Sequence, residues 1–313
     1  MDLGEEADAV EVEDLRHRYG ERVALAGVSF RVARGEIFGL LGPNGGGKST
    51  IFKILSTLLR PGGGTARILG ADVVASPDAV RRRVGVVFQH ASVDPLLTVE
   101  ENLRHHAYLF GLGGAELGVR LGSAMARLGL ADVRRERVEN LSGGMKRRTE
   151  LAKALLVGAE VLLLDEPSTG LDPGARRDFL AELCALRAEG ITVVLTTHDM
   201  DEAERCDRVA FLDRGRLVAA GAPEVLKAAV GGDVLVLRAA APEDLRARVQ
   251  ARFGLDGRVV DGTLRLERAR GHELVRDLVE AFPEDIRALT YGKPTLEDVF
   301  VHLTGHQLSN GAE

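Results

Sequence analysis

This sequence has little cysteine, no long apolar run and no excess of basic residues. Its two cysteines, Cys184 and Cys206, supply neither a disulfide framework nor four ligands for a structural zinc ion, so they predict a reduced, cytoplasmic protein. No apolar run approaches the roughly 18 residues that a membrane-spanning helix needs. The 47 acidic against 41 basic residues give a net charge of −6, which argues against a general nucleic-acid binder. The amino terminus is acidic, unlike a secretory signal.

The residues that are present are those of a globular protein with a sizeable core. Hydrophobic residues make up 45% and charged residues 28% of the 313 positions. At about 150 residues per domain, this length predicts two domains.

Strand and helix patterns alternate through the first two-thirds of the chain, which predicts an α/β protein with a parallel sheet. Residues 37–41 and 161–164 are apolar runs typical of buried parallel strands. Residues 48–59 place apolar side chains at helical spacing and stop before the Pro-Gly-Gly-Gly cluster at 61–64.

We place the domain boundary in the glycine-containing stretch 230–232, which divides the chain into residues 1–231 and 232–313. The second part reads strand, helix, two strands joined by the hairpin signal Asp261-Gly262, helix and strand, followed by a final helix. That order predicts a small α+β domain with the ferredoxin-like, split β-α-β pattern.

A glycine-rich segment with the pattern G-x-x-x-x-G-K-[ST] lies between a predicted strand and a predicted helix. Its glycines let backbone N–H groups converge on phosphate oxygens, and the positive end of the helix that starts at Lys48 adds to this anion site. The Lys48 ammonium can reach the β- and γ-phosphates of a nucleotide, and the Ser49 hydroxyl can ligate Mg²⁺. A glycine-rich turn that holds a lysine by chance would not explain the strand and helix on either side. The predicted nucleotide contacts here, which the resemblance described below assigns to ATP, are Gly42, Pro43, Asn44, Gly45, Gly46, Gly47, Lys48, Ser49 and Thr50.

Two carboxylates, Asp165 and Glu166, follow the apolar run 161–164. Ligands of open α/β sheets bind at the carboxyl ends of parallel strands. Asp165 is therefore placed to hold nucleotide-bound Mg²⁺, and Glu166 to orient or deprotonate an attacking water. Considered alone, two carboxylates at a strand end are as often merely solvated as they are functional. Together with the phosphate loop it predicts a nucleotide site.

The segment LSGGM at residues 141–145 lies between these two motifs and resembles the signature of ATP-binding-cassette (ABC) ATPases. It opens a predicted helix, so it offers a hydroxyl, free N–H groups and a positive dipole to an anion. In this family the anion is the γ-phosphate held by another subunit, which implies a homodimer or a heterodimer with a related ATPase. Met145 replaces the usual glutamine, so we expect altered rather than absent activity. The signature residues are Leu141, Ser142, Gly143, Gly144 and Met145.

The resemblance covers about residues 9–230 and implies further roles. Tyr19 is similar to the aromatic residue that stacks on adenine, Gln89 to the glutamine that senses Mg²⁺ and water, and His198 to the switch histidine at the γ-phosphate. Tyr19 also has an ordinary interpretation as a strand aromatic, and His198 as a histidine at a helix start. The loop linking two protomers is implied at Ser168, Gly170, Leu171 and Asp172.

The implied fold is a P-loop NTPase of the ABC type, with a RecA-like core, an antiparallel β subdomain and a helical subdomain at about residues 90–157. The implied cofactors are ATP and Mg²⁺. The implied catalytic residues are Glu166, His198, Gln89 and Lys48, and the implied Mg²⁺ ligands are Ser49, Gln89 and Asp165.

Residues 88–94, the LSGGM-KRR form and the PTLEDVF segment at 294–300 resemble ATPases of daunorubicin-resistance exporters. This implies an ATP-hydrolysing subunit on the inner face of the cell membrane. Its ATP-driven dimer closure would power a separate polytopic permease, bound around residues 94–129, with no role for nucleic acid. The PTLEDVF segment is equally well interpreted as a capped closing helix that packs on its own domain.

Two other functions stay open. An ABC importer ATPase with a regulatory carboxyl-terminal domain is compatible with the final 80 or so residues. A soluble ABC ATPase acting on DNA or the ribosome is disfavoured, because the chain has one cassette, no long coiled-coil insertion and no zinc-binding cysteine cluster.

Overall fold

The computed structural model describes residues 8–308. The chain divides into two compact units, Met1–Leu217 and Val218–Glu313. The sequence pattern placed the boundary later, after residue 231, where glycines interrupt the chain. The short helix before those glycines packs against the last helix of the chain, so it groups with the second unit.

The first unit contains two sheets and the helices that pack on them. Its strands are β1 (Val10–Tyr19), β2 (Arg22–Val32), β3 (Ile37–Leu41), β4 (Gly63–Ile68), β5 (Ala71–Asp72), β6 (Val84–Val87), β7 (Val161–Asp165), β8 (Thr192–Thr197) and β9 (Arg208–Asp213). Its helices are α1 (Lys48–Leu55), α2 (Pro77–Arg81), α3 (Val99–Leu109), α4 (Gly114–Arg127), α5 (Gly143–Leu156), α6 (Pro173–Ala188) and α7 (Met200–Ala203), with a 3-10 turn at Val138–Asn140. The division between the units falls within β10 (Arg216–Gly221).

The six-stranded sheet has the order β10-β9-β3-β8-β7-β6. Strands β9, β3, β8, β7 and β6 pair in parallel. Helix α1 packs on β7 and β8, and α6 packs on β3 and β8. The uninterrupted apolar runs of these strands are therefore buried, as the sequence pattern predicted. The carboxyl ends of β3, β7 and β8 lie together at one edge of the sheet.

The antiparallel sheet has the order β2-β1-β4-β5. Its strand β2 follows a clear apolar pattern, but β1 and β4 were not predicted from residue patterns. Register shifts on either side of Asp14, whose φ is 47°, interrupt the two-residue period of β1. Strand β4 begins at Gly63, inside the cluster interpreted as a breaker.

Helix α1 is shorter than predicted. The apolar spacing indicated residues 48–59, but α1 ends at Leu55 because Thr57 adopts a left-handed conformation with φ 62°. Leu58, assigned to the buried helix face, is 62% exposed. Further along the chain, α3, α4 and α5 pack on one another, within the range given for the helical subdomain.

The second unit is a four-stranded antiparallel sheet with helices. Its strands are β11 (Asp233–Ala239), β12 (Gly257–Val260), β13 (Thr263–Arg268) and β14 (Ile286–Gly292), and its helices are α8 (Pro223–Ala228), α9 (Pro242–Phe253), α10 (Gly271–Ala281) and α11 (Leu296–Thr304). The sheet order β12-β13-β11-β14 inserts β13 between β11 and β12, which is the arrangement of a split β-α-β unit. Leucines of β11 and β13 pack with apolar residues of α9 and α10 to form its core.

Helix α11 begins with a capping box in which Thr295 and Asp298 each bond the other's backbone N–H. Arg265 and Glu267 of β13 alternate with the core leucines, so they point to the opposite face of the sheet. There Arg265 pairs with Asp298 at 2.6 Å, and Glu267 pairs with His302 at 2.9 Å. Between residues 8 and 308, no helix combines the length and apolarity needed to cross a bilayer.

Candidate nucleotide-binding site

The glycine-rich loop connects the end of β3 to the start of α1. Gly45 and Gly47 have φ values of 79° and 112°, which residues with a side chain rarely adopt. A Cβ on Gly42 would lie 2.2 Å from the Leu212 carbonyl oxygen, and one on Gly47 would lie 2.9 Å from Leu25. Gly46 donates its N–H to the Pro43 carbonyl over 3.0 Å. The loop is therefore compact, as expected for backbone N–H groups that surround an anion.

Lys48 is buried at the first position of α1, with 4% of its surface exposed. Its Nζ donates hydrogen bonds to the carbonyl oxygens of Gly42 at 2.5 Å and Pro43 at 3.1 Å. Burial lowers the pKa of Lys48, while the nearby carboxylates of Glu166 and Asp165 act in the opposite direction. The ammonium is thus held inside the loop, close to the two acidic residues.

A cleft of about 220 Å³ opens over this loop. It brings together Tyr19, most of the glycine-rich segment and Glu166. Arg22 and Lys53, which belong to none of the predicted site motifs, also line it. The helical spacing could have indicated Lys53, because it lies four residues after Ser49 on the same face of α1. Arg22 begins β2, three residues after Tyr19 at the end of β1. The lining residues are Tyr19, Arg22, Ala24, Pro43, Asn44, Gly45, Gly47, Lys48, Ser49, Thr50, Lys53 and Glu166.

Asp165 ends β7 directly beside Thr196 of β8. The Thr196 hydroxyl donates a hydrogen bond to Asp165 Oδ1 over 2.5 Å. Burial raises the pKa of Asp165, the Thr196 hydrogen bond and Lys48 lower it, and Glu166 raises it. Because Asp165 is the last residue of a parallel strand, its carboxylate lies at the carboxyl edge of the sheet, where ligands of such sheets bind.

Glu166 has a left-handed backbone with φ 44°, and its N–H donates to the carbonyl and the hydroxyl oxygen of Thr196 at 3.1 and 3.0 Å. Its carboxylate is approached from three loops. Gln89 Nε2 donates to Oε2 at 3.1 Å, Thr169 Oγ1 donates to Oε2 at 3.4 Å, and His198 Nδ1 lies 3.3 Å from Oε1. Strained backbone of this kind is concentrated at functional sites.

The signature segment lies at the amino terminus of α5. Ser142 is its N-cap, and its hydroxyl accepts a hydrogen bond from the Met145 N–H over 3.3 Å. Gly143 packs beside the loop that follows β7, and Gly144 beside the first turn of α6: an added Cβ would lie 3.2 Å from Leu171 and 3.1 Å from Ala175, respectively. None of the residues 141–145 lines the cleft over this chain's phosphate loop.

The loop assigned to linking two protomers is partly a helix cap. Asp172 is the N-cap of α6 and accepts hydrogen bonds from the Gly174 and Ala175 N–H groups, both at 2.9 Å. Ser168 and Leu171 are buried, and Gly170 has φ 79°. This capping role of Asp172 was not predicted from the sequence, although an Asp-Pro pair at a helix start is its usual signal.

Comparisons with known proteins agree on one family. The ABC transporter family matches residues 25–169. The chain is 42% identical to the daunorubicin resistance ATP-binding protein DrrA3 of Streptomyces coeruleorubidus, over 95% of this chain and 96% of that protein. It is 38% identical to the Nod factor export ATP-binding protein I of Rhizobium meliloti (strain 1021), over 96% of this chain and 90% of that protein.

Solved structures show the same fold. CbiO1 from Clostridium perfringens, part of the ABC transporter complex cbiONQ, has a TM-score of 0.66 and 28% identity, covering 79% of this chain and 96% of that chain. The ADP conformation of MJ1267, an ATP-binding cassette of an ABC transporter, has a TM-score of 0.65 and 25% identity, covering 70% and 92%. The prediction of an ABC-type P-loop fold is confirmed. With its phosphate loop, its adjacent carboxylates and its similarity over nearly the whole length, this chain belongs to the ATP-binding subunits of ABC transporters, which hydrolyse ATP to drive transport.

Proposed function

We propose that this chain is the ATPase of an exporter of drugs, antibiotics or other hydrophobic compounds, and that it powers a separate permease from the inner face of the cell membrane. The observation that carries the hydrolytic part is the meeting of Gln89, Thr169 and His198 around Glu166, next to the phosphate loop. Export is supported by relatives named for daunorubicin resistance and Nod factor export. These names do not favour the importer alternative.

Each side of the cleft has its own part in nucleotide binding. The loop N–H groups and Lys48 bind the phosphates, and Tyr19, which is 47% exposed at the cleft, stacks on the adenine. The oxygen atoms of Ser49, Asp165 and Gln89 are of the kind that Mg²⁺ prefers, so this donor set fits the ion. Mg²⁺ held there neutralises charge on the phosphate oxygens.

Glu166 acts on the attacking water by orienting it or accepting its proton. The hydrogen bond from Gln89 and the contact with His198 hold the two carboxylate oxygens in place, so the proton-accepting atom is positioned before the nucleotide arrives. Pre-positioned groups lower the barrier because they need no rearrangement during the reaction.

A second ATPase subunit completes the site. Ser142, Gly143 and Gly144 lie at a helix amino terminus, where backbone N–H groups lack intrahelical partners. These residues do not line this chain's own cleft, so we propose that they bind the γ-phosphate held by another copy or by a related ATPase. Leu141 and Met145 support the turn that presents them.

The permease docks at an apolar cavity of about 540 Å³ beside the loop that carries Gln89. The cavity combines α3 residues with residues of the parallel-sheet core, so it extends beyond the range 94–129 given by the sequence. Leu109 and Leu58 are 83% and 62% exposed at it. Burial lowers the pKa of His106 to about 4, so this lining residue is uncharged at neutral pH. Exposed apolar side chains grouped around a cavity are the kind of surface that a protein partner covers.

The test is capture of the partner from native membranes with a tagged Glu166→Gln variant and Mg-ATP, followed by mass spectrometry. We expect a polytopic membrane protein that is absent when Lys48→Ala is used under the same conditions. Recovery of ribosomal or DNA-repair proteins in its place would contradict the transport role and support an ABC ATPase that acts on DNA or the ribosome.

A further inference from the structure

A buried ion pair joins two residues one turn apart on α5. Arg147 Nη1 lies 2.7 Å from Glu150 Oε2, and the side chains are 8% and 1% exposed. Arg147 belongs to the Lys-Arg-Arg segment that follows the signature, and neither residue has a role assigned from the sequence. Two charges are costly to bury unless their remaining hydrogen-bonding groups also find partners. The partners of this pair therefore indicate what it does.

Those partners lie in the loop formed by residues 88–92, called here the glutamine loop. The Arg147 guanidinium donates to the carbonyl oxygen of Phe88 at 2.6 Å and to that of Gln89 at 2.7 Å. Glu150 Oε1 accepts from the N–H of Ser92 at 2.6 Å and from its hydroxyl at 3.2 Å. The pair thus holds the loop at both ends. A third residue of the same helix face, Lys153, strengthens the second end.

Lys153 Nζ donates to the carbonyl and hydroxyl oxygens of Ser92 at 2.8 and 3.0 Å. Residues 147, 150 and 153 follow the three-residue spacing of one helix face, so a single side of α5 makes all these contacts. The same helix begins at the signature residue Ser142. The glutamine loop is therefore attached to the helix that presents the signature.

We propose that Arg147 and Glu150 are positioning residues for ATP hydrolysis, which fix the backbone of Gln89 so that its amide reaches Glu166. This inference rests on the proposed role of Gln89 at the site. The guanidinium is suited to the task because its planar fork spans two successive carbonyl groups, which a single ammonium cannot do in the same geometry. Because Arg147 and Glu150 lie on α5, movement of this helix would shift the glutamine loop and the Gln89 amide that contacts Glu166.

The test compares Arg147→Lys, Gln89→Ala and the double variant in the full chain with Mg-ATP. If Arg147 acts through Gln89, Arg147→Lys lowers kcat by roughly 10- to 100-fold with little change in KM, as expected for a misplaced group. In the Gln89→Ala background it has no further effect, because residues of one network are not additive. Arg83→Lys is the matched control, because Arg83 makes a two-point contact with Glu160 away from this loop, and it should leave kcat unchanged.

Two results would overturn the inference: a full kcat in Arg147→Lys, or a loss that adds to that of Gln89→Ala. A full kcat in Gln89→Ala is a different failure, because it removes the role of Gln89 itself. If Arg147→Lys does not fold, the variant Arg147→Met with Glu150→Leu replaces it. That variant removes both charges of the buried pair together, and the same non-additivity with Gln89→Ala is expected.

Discussion

Gln89 Nε2 donates a hydrogen bond to Glu166 Oε2 over 3.1 Å, although 77 positions separate the two residues in the chain. The bond joins the loop after β6 to the end of β7, and the two strands are parallel neighbours. An amide from one strand end and a carboxylate from the next thus meet at one edge of the sheet. A conformational change in either loop would therefore alter this hydrogen bond to Glu166, the residue assigned to activate water.

Replacing Glu166 with Gln removes the proton-accepting carboxylate and keeps the shape of the side chain. We expect ATP hydrolysis to fall by about 10²- to 10⁴-fold, with nucleotide binding preserved and a dimer that persists in Mg-ATP. Light scattering after size exclusion, alongside a phosphate-release assay, measures both effects. Wild-type protein with ADP is the control. A variant that stays monomeric in Mg-ATP and still hydrolyses it would contradict the role of Glu166.

Replacing Lys48 with Ala removes the ammonium held inside the phosphate loop. Hydrogen bonds to charged groups contribute about 1.5 to 3 kcal/mol, so ATP affinity should fall by roughly 10- to 100-fold. Equilibrium titration with a fluorescent ATP analogue gives this change directly. Lys227→Ala, in the second unit, is the charge-matched control and should bind normally. Unchanged affinity in Lys48→Ala would refute the phosphate-loop assignment.

An acidic residue at Leu109 should prevent docking of the permease. Leu109 is 83% exposed at the apolar cavity, so a carboxylate there would be stripped of water on binding while the folded chain alone tolerates it. We expect Leu109→Asp to lose capture of the membrane protein and keep ATP binding. Val119→Asp, on α4 and 74% exposed outside this cavity, is the control and should retain capture. Equal capture by both variants would place the interface elsewhere.

His106 should make the protein less stable in mild acid. Its pKa is about 4 in the folded chain, below the ordinary 6.5, because the half-buried ring is partly desolvated and Lys153 is nearby. The unfolded chain therefore binds the proton first, and stability is lost as the pH falls from about 6.5 to about 4. With allowance for solvent screening at this half-buried ring, the effect is about 1 to 2 kcal/mol.

Denaturant unfolding at several pH values measures this effect. His106→Gln, which cannot titrate, should show a shallower loss of the unfolding free energy than wild type over that pH range. His105→Gln, which changes the exposed neighbouring histidine, is the control and should follow wild type. If the unfolding free energies of wild type and His106→Gln fell in parallel with pH, the His106 ring would not contribute to the pH dependence of stability.

Two capping boxes allow the units to be tested separately. Thr98 caps α3 in the first unit and Thr295 caps α11 in the second, each with an acidic residue three positions on. Removing either hydroxyl with Ala should cost about 1 kcal/mol of stability. Thr295→Ala should nevertheless leave ATP affinity unchanged, because no nucleotide motif lies in that unit. A lower melting temperature with weakened ATP binding in Thr295→Ala would assign the second unit a part in the nucleotide site.

Much of the topology could be predicted because its signals are local. The apolar run before Asp165 and the Asp261-Gly262 hairpin each depend on a few neighbouring residues, and so does the cap at Thr295. The end of α1 could not be predicted, because the spacing of the apolar residues does not show that the backbone of Thr57 is left-handed. Strand β1 was missed because its bulges hide the two-residue period.

The sequence by itself determined which residues are assigned to the site: a phosphate loop ending in Lys48, the carboxylates Asp165 and Glu166, and the signature at Ser142. These motifs can be recognised because the residues of each are adjacent along the chain. Only the tertiary structure decided which distant groups meet, such as Gln89 with Glu166 and Arg147 with the carbonyl oxygens of the glutamine loop. The reason is physical: strand order and helix packing set these distances, and no local pattern records them.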